Sequence, residues 1–471
     1  MTLRLTTLRP LDLGMIGLAL AAATLILGLP LFFAASFIVG SIILVATLID
    51  PAVGLGLTVA TVMVQELIVF PMGLTTTHVV GAMALGTWLL AGLAQREIVI
   101  HTRLVVPWTL FLGALLLTAA LTPYNAVDSL KQVVRWILAF LAFIVTVSTI
   151  TTPRRMIGLI VVILIVGVLE SLVGVRQYLT GTGPFAIGET VRAFGTIGKP
   201  NTFAGFLEMC WPLGMAITLG CVWQWWLNRI ELRWLVGAAL AGGATLIILA
   251  GFAFSFSRGG WLGGAVAVLV MIALAGGRRA VPMLIGLVLV GLFVVAQPQL
   301  FPPIITERIT SITDNLKIFD AGTITVTDDN FAVVERMAHW QAGFNMFMAH
   351  PILGVGPDNF NKAYPSFFVG RWSISQGHAH NYYIHIAAES GIIGLISYVI
   401  LIGSVIRLGW QAVQITRGTA WNMVAIGGCG IIAAIQVHSM FDNLHVLNFG
   451  IHLSAVWGIL AVLVLRRGWR T

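Results

Sequence analysis

The sequence predicts an all-α polytopic membrane protein of about 12–14 transmembrane helices with one large folded loop outside the bilayer. Three observations carry that expectation. Of 471 residues, 58% are apolar and 9% charged, whereas soluble domains carry roughly 25% charge. Apolar runs long enough to span a bilayer recur from Leu11 to Leu465. Between Pro298 and Tyr383 that rhythm stops, and a long polar stretch intervenes.

Taken in order, the runs place spans near 11–29, 31–49, 51–70, 75–94, 104–122, 132–150, 156–175, 202–222, 235–254, 260–276, 280–297, 385–407, 421–441 and 447–465. The breaks at Pro30 and at Asp50-Pro51 are short. Three regions follow: spans with short loops over 1–297, an extracytoplasmic loop over 298–384, and C-terminal spans over 385–471. Arg96, Arg103, Arg154, Arg155, Arg278, Arg279, Arg407, Arg466 and Arg467 crowd alternate span ends. The positive-inside rule therefore puts both termini in the cytoplasm and the long loop outside. The net charge of +8 fits such loops plus an anion site rather than a nucleic-acid partner. Cys210, Cys221 and Cys429 fall in apolar runs with no metal-ligand or disulfide spacing.

A loop as long as 298–384 should fold and function. Glu307 to Phe331 is polar and irregular, and Phe331 to Ala349 reads as a helix. Its Trp340, Phe344 and Phe347, extended by Met337 and Met348, form one face. That face either lies on the bilayer surface or packs against a small core of the loop itself. His350-Pro351 ends the helix, and Gly354, Gly356 and Pro357 make a turn. A second outer loop, Arg176 to Asn201, takes a defined non-helical course, and Ser257-Arg258-Gly259-Gly260 is a tight turn between spans.

These outer elements each carry an arginine: Arg192, Arg258 and Arg336. A fork of guanidinium donors suits phosphate. His380 and Asn381 sit at the mouth of the span that follows the loop. Asn381 is placed to cap it, and a helix N-terminus draws anions and disfavours an imidazolium, so His380 is a candidate base. Gly391 and Gly394 share a face on which another helix could approach. Together these residues propose that arginines hold a lipid-borne diphosphate while His380 takes a proton from an attacking hydroxyl. No Gly-x-x-x-x-Gly-Lys-Ser/Thr motif occurs, and such a donor needs no ATP because the diphosphate is its own leaving group.

Blander readings stand beside each residue. Arg336 reads also as a surface arginine next to Glu335, Arg258 as a headgroup contact, Arg192 and Lys199 as loop charges, and His380 as structural. Lys131 and Arg135 read as snorkelling. His378, His380 and His385 do not space as a metal site, so no metal is expected. Glu170 and Glu208, near span ends, are expected to pair with a local arginine. Asp442 with His438 is a possible cavity lining.

The pieces Glu335-Arg336 with Trp340, HPILGVGPDNF from His350 to Phe360, and His380-Asn381 followed by Gly391-x-x-Gly394 resemble the O-antigen ligase and polymerase superfamily. RAFGTIGKPN from Arg192 to Asn201 and SRGG from Ser257 to Gly260 are similar to further family motifs. The resemblance implies a GT-C-like glycosyltransferase of the bacterial cytoplasmic (inner) membrane with its active site on the outer, periplasmic side. It would move a glycan from undecaprenyl diphosphate to an acceptor hydroxyl by inverting displacement, without metal or other cofactor. By motif, His380 would be the base, Arg336 and Arg258 would bind the diphosphate, and Arg192, Lys199, Asn201 and Asn381 would contact substrate. The acceptor would be lipid A-core for a ligase, another glycan-lipid for a polymerase, or protein Ser or Thr for an oligosaccharyltransferase. A non-enzymatic glycan-lipid transporter is the reading from a different class.

Overall fold

The computed structural model describes residues 31–70, 73–95, 102–227, 231–277, 280–300, 306, 308, 318–327 and 330–467. Within them the chain is helical throughout, apart from one short hairpin and irregular loops. In order, the helices are α1 Leu31–Ile49, α2 Pro51–Thr61, α3 Thr76–Gln95, α4 Val105–Ala120, α5 Ala126–Thr149 and α6 Pro153–Thr180. The hairpin, β1 Ala186–Ile187 with β2 Thr190–Val191, follows. Then come α7 Pro200–Glu208, α8 Trp211–Leu227, α9 Leu232–Phe254, α10 Arg258–Ala275 and α11 Ala280–Ala296. Beyond the long loop's helix α12 Phe331–Ala349 and the short α13 Phe360–Ala363 lie α14 Tyr382–Ile415, α15 Trp421–His438 and α16 Phe449–Leu465.

Among the described residues, 8 helices are long and apolar enough to cross a membrane, counting α7 with α8 as one, and shorter apolar helices accompany them. The protein is an all-α polytopic membrane protein. The expected span at 11–29 and about half of the polar stretch from Glu307 to Phe331 lie outside the described residues. α16 shows why the bundle holds: it is apolar all round and buried from Phe449 to Leu463. Such a helix belongs at the centre, and it packs against α5, α14 and α15. Trp108, Trp136 and Trp457 meet around it with ring centroids about 6 Å apart.

Two expected spans depart from continuous helices. The run at 51–70 stops being helical at Thr61. Past that point Gln65 turns inward, binds the Leu447 carbonyl and accepts from Asn448 Nδ2 at 2.8 Å. The run at 202–222 breaks at Met209–Cys210. Pro212 has no N–H to offer the carbonyl four residues back, so the ladder fails there.

α12 occupies the expected Phe331–Ala349, but its buried face differs from the expected one. Val334, Met337 and Ala338 pack with Ala321 and Trp372. Ala342 and Met346 pack with Val355, Phe360, Tyr364 and Ala388. Phe344 and Met348, from the predicted apolar face, stay exposed. The loop's small core is therefore built on Val334, Met337, Ala338, Ala342 and Met346, with Gly343 packed close to Ile384 of α14.

α14 is bent at Gly391, whose φ of 59° and ψ of −162° suit glycine alone. The segment after α12 docks on this bend with backbone bonds: Val355 N to Ala388 O at 2.9 Å, Gly356 N to Glu389 O at 2.7 Å and Ile392 N to Pro351 O at 2.8 Å. The carbonyls released by the bend are thus satisfied. What approaches Gly391 is this loop, not the second helix that the Gly391 and Gly394 spacing predicts. Asn359 then ties the same segment to α5, its Nδ2 donating to Ser129 Oγ at 2.9 Å and its Oδ1 accepting from Asn125 N at 3.2 Å.

Candidate active site

The bend and its docked loop fix the mouth of α14. Asn381 caps that helix, its Oδ1 accepting from Tyr383 N at 3.0 Å and Ile384 N at 3.1 Å. His380, one residue earlier, takes a left-handed backbone with φ 53°, a costly conformation outside glycine. Neighbours hold it there: its carbonyl accepts from Trp340 Nε1 at 3.1 Å, and its N–H donates to His378 Nδ1 at 3.1 Å.

The left-handed turn aims the His380 ring at Asp442, in the loop between α15 and α16. His380 Nδ1 lies 3.7 Å from Asp442 Oδ1, and His378 Nε2 lies 3.8 Å from the same oxygen. Asp442 is itself anchored: Oδ1 accepts from Asn443 N at 2.8 Å and Oδ2 from Asn201 Nδ2 at 2.9 Å. Asn201 Oδ1 accepts in turn from Arg192 Nη2 at 2.9 Å. Burial pushes the Asp442 carboxyl up, but His380, His378 and His438 together outweigh it and hold the group below the ordinary carboxylate range. It therefore stays ionised. Burial, with His380 adding to it, lowers His378 to about 3.

These residues border a cavity of about 240 Å³, lined by Arg192, Asn201, Arg258, Arg308, Arg336 and His380 together with Glu335, His438, Phe256 and Phe441. Arg258 opens α10 directly after its cap, where Ser257 Oγ accepts from Gly260 N at 3.2 Å. Arg192 is fixed by its Nε–Ser255 O bond of 2.8 Å. Burial lowers Arg192 from the ordinary arginine value, and Arg308 and Arg258 add to the effect. Such crowding of guanidiniums is a store of repulsion that a bound polyanion relieves. Arg336 is buried and lowered by that burial, with Asp442 and Glu335 opposing.

Of the residues singled out in the sequence, His380, Arg336, Arg258, Arg192 and Asn201 meet at this cavity. Lys199 does not line it; it stands exposed at the start of α7. Asn381 does not line it either, its side-chain oxygen being occupied with the cap. Arg308, Glu335 and His438 also line the cavity, and Asp442 backs it. The polar break holding Asp442 and His438 between two apolar runs was a legible signal, whereas Arg308 sits in an aperiodic polar stretch that gave none.

The expectation that Glu170 and Glu208 pair with arginine is corrected. Glu170 accepts from Thr196 N at 2.7 Å and Thr196 Oγ1 at 2.9 Å. Glu208 bonds His438 at 2.7 Å. Local sequence favoured arginine, but both carboxylates face inward, where a neighbouring loop and α15 supply the partners.

His378, His380 and Asp442 bring their donor atoms within 4.8 Å of one another. The set does not fit a metal. His378 Nδ1 accepts the His380 amide, so the neutral ring carries its proton on Nε2, the nitrogen that faces Asp442. A ligand needs a lone pair there.

The class these features define is an integral membrane protein whose helical bundle carries a cavity lined by arginines, with a histidine facing a buried carboxylate at its edge. Residues 243–399, a third of the chain, match the family model for O-antigen ligase, which supports the O-antigen ligase superfamily. The match takes in Arg258, Arg308, Arg336 and His380 and leaves Arg192, Asn201, His438 and Asp442 outside it. A comparison with curated proteins finds no match to the chain.

Proposed function

We propose that the protein is a glycosyltransferase of the ligase type, moving a glycan from undecaprenyl diphosphate to an acceptor hydroxyl on the outer face of the bacterial cytoplasmic membrane. The observation that carries this is the meeting of four arginines and His380 at one cavity, with Asp442 behind the His380 ring. In this reading Arg192, Arg258, Arg308 and Arg336 hold the diphosphate, and residues 298–384 form the catalytic loop.

In this reading the Asp442 carboxylate, 3.7 Å from His380 Nδ1, favours the ring proton on that nitrogen and so leaves Nε2 with its lone pair. Nε2 takes the proton of the acceptor hydroxyl as its oxygen attacks the anomeric carbon. The bond from that carbon to the diphosphate oxygen breaks, and polyprenyl diphosphate leaves with the electron pair. The arginines stabilise the charge that develops on the leaving group, which is the work Lewis acids do elsewhere. One direct displacement inverts the anomeric centre. Neither ATP nor a metal enters the scheme.

The test is a transfer assay with purified protein in detergent, a polyprenyl-diphosphate glycan and EDTA. Lipid A-core, a second glycan-lipid and a Ser/Thr peptide are offered separately. Transfer to lipid A-core is the expected result. Transfer to the glycan-lipid or the peptide instead makes the protein a polymerase or a protein glycosyltransferase. Binding of the donor with no transfer to any acceptor contradicts the enzyme reading and favours a transporter.

A further inference from the structure

Behind the arginine wall lies a buried ion-pair-forming couple that the scheme above does not use. Glu208 ends α7 with no solvent exposure, and His438 ends α15 with 1%. A carboxyl group in the membrane bundle is costly to keep, and here its Oε2 lies 2.7 Å from His438 Nδ1. The other ring nitrogen, Nε2, lies 3.4 Å from Ser257 Oγ. Ser257 is the cap of α10 and immediately precedes Arg258.

The backbone is shaped around this couple. A Cβ on Gly259 would stand 2.7 Å from His438 Cδ2, and one on Gly263 would stand 2.7 Å from Glu208 Oε1. Two glycines of the turn and first helical turns therefore let α10 settle onto His438 and Glu208. The turn itself needs holding, because Phe256 adopts a left-handed φ of 49°. Arg192 secures its first carbonyl, at Ser255. His438 secures its far side, at Ser257.

We infer that Glu208 and His438 are positioning residues that clamp the Ser257–Gly260 turn and so fix where Arg258 presents its guanidinium to the diphosphate. The inference rests on the diphosphate reading of Arg258 given above. Glu208 fixes the tautomer and tilt of His438, His438 fixes Ser257, and Ser257 sets the start of α10.

A double-mutant cycle on binding tests it. The probe is undecaprenyl diphosphate, titrated into detergent-solubilised protein whose folding is checked by thermal unfolding. Arg258→Ala, His438→Ala and the double variant are compared with wild type. Arg258→Ala and His438→Ala should each weaken binding by on the order of tenfold, and the double variant should be no more than about twofold weaker than Arg258→Ala alone. Glu208→Gln should show a smaller loss of the same kind. If His438→Ala does not fold, Gly259→Ala replaces it, since its Cβ pushes the turn off the histidine while leaving both side chains in place. Losses that multiply in the double variant, or a single variant that binds as wild type, overturn the clamp. Wild-type binding by Arg258→Ala is a separate outcome: it overturns the diphosphate reading of Arg258, and the clamp falls with it.

Discussion

His380 Nδ1 faces Asp442 Oδ1 at 3.7 Å, and Asp442 is held from its other oxygen by Asn201. A histidine base is useful when one nitrogen is committed and the other is free to accept, and a fixed carboxylate enforces that division. Asp442→Asn keeps the shape but can turn an amide N–H toward Nδ1, which moves the ring proton to the wrong nitrogen. Its transfer rate should fall by on the order of a hundredfold or more, with donor binding nearly unchanged. A rate within a few-fold of wild type would show that Asp442 does not orient the base.

The bend at Gly391 positions the mouth of α14, and it tolerates no side chain. A Cβ there would stand 2.2 Å from Ile352 O, at a φ of +59°. Gly391→Ala should destabilise the protein by about 3 kcal/mol or more. The readout is the thermal unfolding midpoint in detergent. An unchanged midpoint would mean that the docked segment moves away freely and that the bend is not constrained.

Acid should destabilise the long loop. Burial lowers His339 to about 4 and His378 to about 3. His339 has its neutral form fixed on both sides, with Nδ1 at 2.8 Å from Glu335 O and Nε2 accepting from Gln376 N at 3.1 Å. Between the ordinary histidine value near 6.5 and these lowered ones, the unfolded chain binds protons that the folded chain refuses. Stability present above about pH 6.5 is therefore lost as pH falls toward 4, by up to about 1.4 kcal/mol per pH unit for each histidine. The unfolding midpoint should be lower at pH 5 than at pH 7.5, and His339→Gln should flatten that difference. A midpoint that rises on acidification would contradict the assignment.

Much of the fold was legible because a bilayer leaves few options: backbone groups must pair within each helix, so apolar runs mark spans. α12 was legible to the residue, from helical period and the His350-Pro351 stop. The breaks were not. Hydropathy does not register that Gly391 must leave the helix, which depends on the segment docked there, or that Pro212 interrupts the run at Met209–Cys210, which depends on its missing N–H and not on its polarity. In the site, Arg192, Arg258, Arg336 and His380 could be picked out by residue type and placement at outer turns. Asp442 could be suspected as a polar break, but its contact with His380 spans α15 and α14, a tertiary relation that spacing does not encode. Arg308 and the Glu208–His438 couple join the site through similar long-range packing.

The central claim is that His380 is the base in a cavity whose arginines hold the donor. The most direct measurement compares wild type with His380→Ala in the same detergent, recording glycan transfer and undecaprenyl diphosphate binding side by side. The variant should bind the donor within a few-fold of wild type and transfer at a rate lower by on the order of a hundredfold or more. A folded His380→Ala protein that transfers glycan as fast as wild type would contradict the account.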